Sequence, residues 1–187
     1  MKKITTLSKS LLIALSITSL GVASISTSQA ATAMTETMAA SQSKVSLEKA
    51  LSLASKVVSG DIISAEYDQD DDTANGSYDL KIVANNMEQE VKVHANTGKV
   101  TQGDVERLDK EDLAEYNAMK QSKVSLTQAI KKANQKIKGT VLEAEFDMDF
   151  GKPVYKVEIG KGTQIHKVVV DGTTGNITRS QVSAADD

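Results

Sequence analysis

The sequence predicts an α+β fold built from two tandem copies of one unit, each a helix packed on a three- to four-stranded antiparallel meander. Three observations carry this. The chain repeats itself, each copy opens with apolar residues at helical spacing, and each continues with short runs in which apolar and polar residues alternate.

Ser43-Lys44-Val45-Ser46-Leu47 recurs unchanged as Ser122-Lys123-Val124-Ser125-Leu126, an offset of 79. The match runs without a gap through Ala50/Ala129, Leu51/Ile130, Ala54/Ala133, Gly60/Gly139, Ala65/Ala144 and Asp68/Asp147. Two extra residues in the first copy's acidic loop then change the offset to 77, and Tyr78/Tyr155, Leu80/Val157, Ile82/Ile159, Val91/Val168, Val93/Val170 and Thr97-Gly98/Thr174-Gly175 align. Two copies of about 60 residues are two small domains or two halves of one sheet, since solenoids need three or more repeats. The reading adopted is two domains, 43–102 and 122–182, with a connecting helix over 103–121 and a flexible acidic tail over 183–187.

Within each copy, Ser46 or Ser125 is placed to cap the helix. Leu47, Ala50, Leu51, Ala54 and Val58 form its apolar stripe, repeated by Leu126, Ala129, Ile130, Ala133 and Ile137, and Gly60 or Gly139 is expected to end it. The first strand alternates Ile63, Ala65, Tyr67 with Ser64, Glu66, Asp68, and its twin alternates Leu142, Ala144, Phe146 with Glu143, Glu145, Asp147. That is the pattern of a sheet with one dry face. Tyr78-Leu80-Ile82 and Tyr155-Val157-Ile159 give second strands, Val91-Val93 and Val168-Val170 third ones, and Val100 and Ile177 open a short fourth. Asn85-Asn86 and Gly160-Lys161-Gly162 are short enough to make hairpins. Leu113, Tyr116 and Met119 give the connecting helix a narrow apolar stripe.

Residues 1–30 have the form of a secretory signal: Lys2, Lys3 and Lys9, an apolar run from Leu11 to Ala23, then Ser28-Gln29-Ala30 as a small-residue cleavage site. The run is too short and too rich in hydroxyls to span a bilayer. Cleavage is expected after Ala30 or Ala33, followed by a disordered linker to residue 42, and the destination is the periplasm, with secretion to the medium as the alternative. Loss of three lysines from 22 basic residues against 25 acids moves the net charge from −3 to −6. That balance argues against nucleic acid and against anionic lipid surfaces, and no membrane insertion is expected after cleavage. The absence of cysteine leaves folding to packing alone.

The order of helix, strand, Tyr-x-Val strand and apolar strand running into Asp-x-x-Thr-Gly resembles the PepSY family, in tandem. The second copy carries the fuller pattern, in Val154-Tyr155-Lys156-Val157 and Val168-Val169-Val170-Asp171-Gly172-Thr173-Thr174-Gly175. In the first copy His94 stands where the family has Asp. PepSY domains are similar to a segment of the propeptides of thermolysin-type metallopeptidases. The resemblance implies a role in restraining or tuning peptidases outside the cytoplasm.

Asp171 near Thr174-Gly175 invites a catalytic reading, but Gly172 and Thr173 separate it from the Thr-Gly pair, so neither an Asp-Thr-Gly nor an Asp-Lys-Thr-Gly motif exists. An Asp that accepts backbone N–H groups two or three residues on, with a glycine at positive φ, makes a turn instead. Asp171, Thr174, Gly175, Thr97 and Gly98 are therefore assigned to turns. Asp68, Asp70, Asp72 and Asp79 are weak candidates for a calcium site, spaced like an EF-hand loop but with Thr73 where glycine is needed, no Glu at the last position, and strands on both sides. A solvated hairpin tip is the better reading. His94 and His166 are not equivalent positions and lack ligand spacing, so no cofactor or metal is expected.

No nucleophile elbow, thiol or phosphate loop is present, and a non-enzyme is expected. The charged strand face of the second unit, with Glu143, Glu145, Lys156, Glu158 and Lys167, is the candidate binding surface, together with open sheet edges able to take a partner strand or a second copy. The expected partner is an envelope peptidase or another protein; a small-ligand or calcium-binding protein is the alternative.

Overall fold

The protein's computed structural model describes residues 36–70 and 75–183. The expected leader and its cleavage sites, and residues 184–187 of the expected tail, lie outside the described residues. Residues 36–42 are helical (α1), and Leu47–Val57 forms α2. Four strands follow, β1 (Asp61–Gln69), β2 (Gly76–Ala84), β3 (Met87–His94) and β4 (Val100–Arg107). Then come α3 (Lys110–Gln121), α4 (Leu126–Lys136), β5 (Thr140–Asp149), β6 (Lys152–Lys161), β7 (Gln164–Asp171) and β8 (Ile177–Ser183).

All eight strands join one antiparallel sheet in the order β4-β3-β2-β1-β5-β6-β7-β8. The two copies are thus halves of one sheet rather than separate domains, fused where β1 pairs with β5. Ala65 lies opposite Ala144, its own counterpart in the repeat, so the joint is an approximate two-fold. Both alanines are fully buried, and their size lets the strands meet beneath the helices.

α2 and α4 cover one face. Their apolar stripes, Leu47, Ala50, Leu51, Ala54 and Leu126, Ala129, Ile130, Ala133, are buried against Leu80, Ile82, Val91, Val93 and Val157, Ile159, Val168, Val170 in one continuous core. Each fully buried leucine or isoleucine contributes about 1.5–3 kcal/mol. Ser46 accepts the Lys49 amide and Ser125 the Gln128 amide, both at 3.3 Å. Only the second cap is reciprocal, because Gln128 Oε1 accepts the Ser125 amide at 2.9 Å and Lys49 has no oxygen with which to do so.

Four expectations need correction. Residues 36–42 of the expected disordered linker form a helix whose Ala39 and Ala40 are buried in the core; residues 31–35 lie outside the described residues. Each fourth strand is full length, so 103–107 belongs to β4 rather than to the connecting helix, and Ser183 ends β8 rather than starting the tail. Gly60 and Gly139 do not end the helices, which stop at Val57 and Lys136 with Val58 and Ile137 as caps. Their need is closeness: a Cβ on Gly60 would lie 2.7 Å from the Val83 carbonyl oxygen, and one on Gly139 would strike the Gly160 carbonyl oxygen. Finally, the β6–β7 turn begins after Lys161, since Gly160 and Lys161 remain in the strand, whereas Asn85 and Asn86 make the β2–β3 turn with φ of 52° and 62°.

α1 and α3 are counterparts. Each precedes its repeat's helix and ends alike, with Ser43 Oγ bonded to Ala39 O and Ser122 Oγ to Ala118 O. Each packs on the other repeat's strands. Tyr116 and Lys120 of α3 donate to Asp61 of β1 at 2.6 and 2.8 Å, while Thr37 of α1 fills the space above Gly160 of β6. Burial alone would raise the Asp61 carboxyl, but the bonds from Lys120 and Tyr116 outweigh it and hold the group below its usual range.

Candidate functional site

The turn residues lie at corresponding places in both halves. Asp171 Oδ1 accepts the amides of Thr173 and Thr174 at 3.0 and 2.7 Å and the Thr174 hydroxyl at 3.0 Å. In the first half His94 Nδ1 accepts the Asn96 amide at 3.1 Å. Gly175 and Gly98 sit at φ of 72° and 69°, and their amides donate to Asp171 O and His94 O, both at 2.8 Å. The bonds from Thr174 and Thr173 hold the Asp171 carboxyl below its ordinary range.

The next residue anchors the helix entry. Gly172 O accepts the amides of Lys123 and Val124, and Ala95 O accepts that of Val45. From the other side, Tyr155 and Tyr78 donate their hydroxyls to Val124 O and Val45 O, each at 2.7 Å. Each valine is clamped by one turn and one tyrosine. Burial pushes the Tyr155 hydroxyl up to about 12 and raises that of Tyr78 as well, so both remain donors. Each tyrosine also meets an aromatic ring of the first strand edge-on, Phe146 or Tyr67, with centroids 5.4 Å apart. The Tyr and Asp-x-x-Thr-Gly elements therefore fasten strands to helix.

The chemistry that remains lies on the face opposite α2 and α4. The register places one residue from each of six neighbouring strands in a transverse row: Lys92, Asp79, Glu66, Glu143, Glu158 and Lys167. Four carboxylates stand side by side, with a lysine at each end. Lys92 reaches Asp79 at 3.3 Å and Lys167 reaches Glu158 at 2.7 Å. The adjacent row holds Glu145, bound by Lys156 at 3.7 Å while Lys156 also pairs with Asp147. A groove of about 400 Å³ opens over this face, lined from both halves by Glu66, Asp68, Asp79, Lys81, Glu143 and Glu145 among others.

The five residues expected to stud an exposed face share that face but are not uniformly exposed. Lys156 and Lys167 are exposed, Glu143 and Glu158 half-buried, and Glu145 only 7 % exposed. The reason is β5's position: it is a central strand, with β1 on one side and β6 on the other, rather than the rim of an isolated domain. Burial, then the neighbouring Glu158, Glu145 and Glu66 carboxylates, push Glu143 up to about 8 against the opposing pull of Lys167. Glu145 is also raised, by burial, despite Lys156. Sequence reasoning confined to the second unit left out Glu66 and Asp79 as groove residues; the repeat places Glu66 at the equivalent of Glu145, which was the available signal.

Of the four aspartates spaced like a calcium loop, Asp72 lies outside the described residues. Asp68 and Asp79 line the groove, whereas Asp70 sits past the end of β1 with its amide bonded to Asn75 O. Among the described residues no group of three or more His, Asp or Glu is arranged to hold a metal ion. β4 and β8 are the two open edges, and each exposes a valine at the same repeat position, Val105 and Val182. No helix among the described residues is long and apolar enough to cross a membrane.

Among curated proteins, none matches the chain. Among solved structures it is similar to a "putative lipoprotein" of Clostridium difficile 630, with 25 % identity over 79 % of this chain and 99 % of that one, at a TM-score of 0.48. The family model of the peptidase propeptide and YPEB domain matches twice, at residues 44–102 and 123–181. These two spans contain both valine clamps, both turns and both Tyr-x-Val or Tyr-x-Leu strands, and the chain belongs to the PepSY family as a tandem pair.

Proposed function

We propose that the protein is a non-catalytic binding and regulatory module, acting outside the cytoplasm, that restrains or tunes a peptidase or another envelope protein. The observation that carries this reading is the charged groove on the face opposite α2 and α4, to which both halves of the sheet contribute carboxylates. The family's description as a peptidase propeptide domain supports it. So does the employment of the motif residues, since Asp171, Thr174, Tyr78 and Tyr155 are taken up by turns and clamps. The acidic lining favours a basic segment of the partner, because like-charged surfaces repel and complementary ones steer encounter.

The test adds the purified chain to an envelope extract and follows peptidase activity, alongside a Glu66→Lys/Asp79→Lys variant. Reduced activity with the native chain and loss of that effect in the variant is the expected result. Unchanged activity, with no protein retained on the native chain over the variant, would sink the reading.

A further inference from the structure

The joint between the repeats is the shortest strand pairing in the sheet. β1 and β5 pair over three positions, Ser64–Glu145, Ala65–Ala144 and Glu66–Glu143, whereas β1 and β2 pair over eight. One of those three positions sets two carboxyl groups directly opposite each other, an arrangement that destabilises strand pairing when both are charged. The remaining surroundings of Glu143 add more negative charge than positive. Glu158 opposes it from β6, Glu145 follows on its own strand, and Lys167 of β7 is the cation acting on it, already paired with Glu158.

The flanking elements do not reverse this balance. Asp79 of β2 lies beyond Glu66 and is held by Lys92, Lys81 of the same strand lines the groove but is paired with Glu88 at 3.3 Å, and Lys156 of β6 is engaged by Glu145 and Asp147. α1 brings Glu36 near Glu158, and α3 brings Glu115 near Asp147 and Glu145.

We propose that the β1–β5 seam is a proton-operated joint, closed while Glu143 carries a proton and loosened between Glu66 and Glu143 when that proton leaves. The opening is local. Asp61 with Tyr116 and Lys120, and Thr37 over Gly160, tether the halves through α3 and α1 outside the seam. The ordinary carboxyl range lies well below neutrality and that of Glu143 near 8, so the closed seam holds the proton more tightly and opening is favoured as pH rises. This couples the continuity of the groove floor to mildly alkaline pH.

Hydrogen exchange on the full chain tests this, with rates corrected for intrinsic pH dependence. Between about pH 6.5 and about pH 9, protection of the amides of residues 64–66 and 143–145 should fall by about tenfold or more, while residues 155–157 and 168–170 change little. Glu143→Gln should abolish the fall, and Glu66→Gln should reduce it. Constant protection at the seam in the native chain, or a fall that persists unchanged in Glu143→Gln, would overturn the proposal.

Discussion

The hydroxyl of Tyr155 donates to the carbonyl oxygen of Val124 at 2.7 Å, joining the centre of a strand to the residue just before a helix cap. Both groups are buried, and removal of one leaves the other without a partner. Tyr155→Phe should therefore lower unfolding stability by about 1–3 kcal/mol, read from urea titration. Tyr78→Phe should cost a similar amount through Val45. An unchanged midpoint in both would show that the clamp contributes nothing.

Asp171 makes a prediction of opposite chemistry. Its carboxyl is held below the ordinary range by the Thr174 and Thr173 bonds, so the folded chain favours the charged form. Such a group stabilises above its unfolded pKa, and that contribution is lost as pH falls through the folded value. Asp171→Asn should melt earlier than the native chain near neutrality, and the difference should shrink as pH falls below the ordinary carboxylate range. Asp171→His should retain the fold, because His94 closes the equivalent turn with one ring nitrogen.

Glu143 has the reverse sign. With its folded value raised to about 8, the folded state binds more protons than the unfolded one over the interval down to the ordinary range. Global stability then falls as pH rises through that interval. Glu143→Gln should match the native chain near about pH 4.5 and exceed it in thermal stability above about pH 8, measured by circular dichroism at both extremes.

A fourth prediction concerns Gly139. Since its Cβ would meet the Gly160 carbonyl oxygen, which belongs to a paired strand, Gly139→Ala cannot be absorbed by a side-chain rotation. Overpacking of this kind costs about 1–3 kcal/mol. Gly151→Ala is the control for steric cost, with nothing within 4 Å, though its φ of 76° adds backbone strain of its own. Thermal melts of the two variants, compared with Gly139→Ser, separate the steric term, because serine should cost at least as much as alanine at 139.

Much of the fold was legible because repetition doubled every signal. Leu47, Ala50, Leu51 and Ala54 have counterparts that conserve helical spacing, and the first strand of each copy alternates in the same phase. The turn role of Asp171 could be argued because His94 stands in its twin. α1 was not legible as a helix, since 36–42 carries no long apolar stripe. Its signal was the alignment continued backwards, with Ala39 and Ala40 opposite Ala118 and Met119. What stabilises it is tertiary: Thr37 against Gly160 and two alanines in the core.

The sequence by itself determined the unit: its helix, its meander, its turns and the family to which they belong, because these follow from spacing and local backbone chemistry within about 60 residues. Only the tertiary structure decided that the two units share a sheet. Antiparallel pairing of Ala65 with Ala144 depends on two strand edges 79 residues apart, which periodicity within either strand cannot register. That pairing made β5 a central strand, buried Glu145, set Glu66 against Glu143, and turned the scattered acids of two repeats into one row.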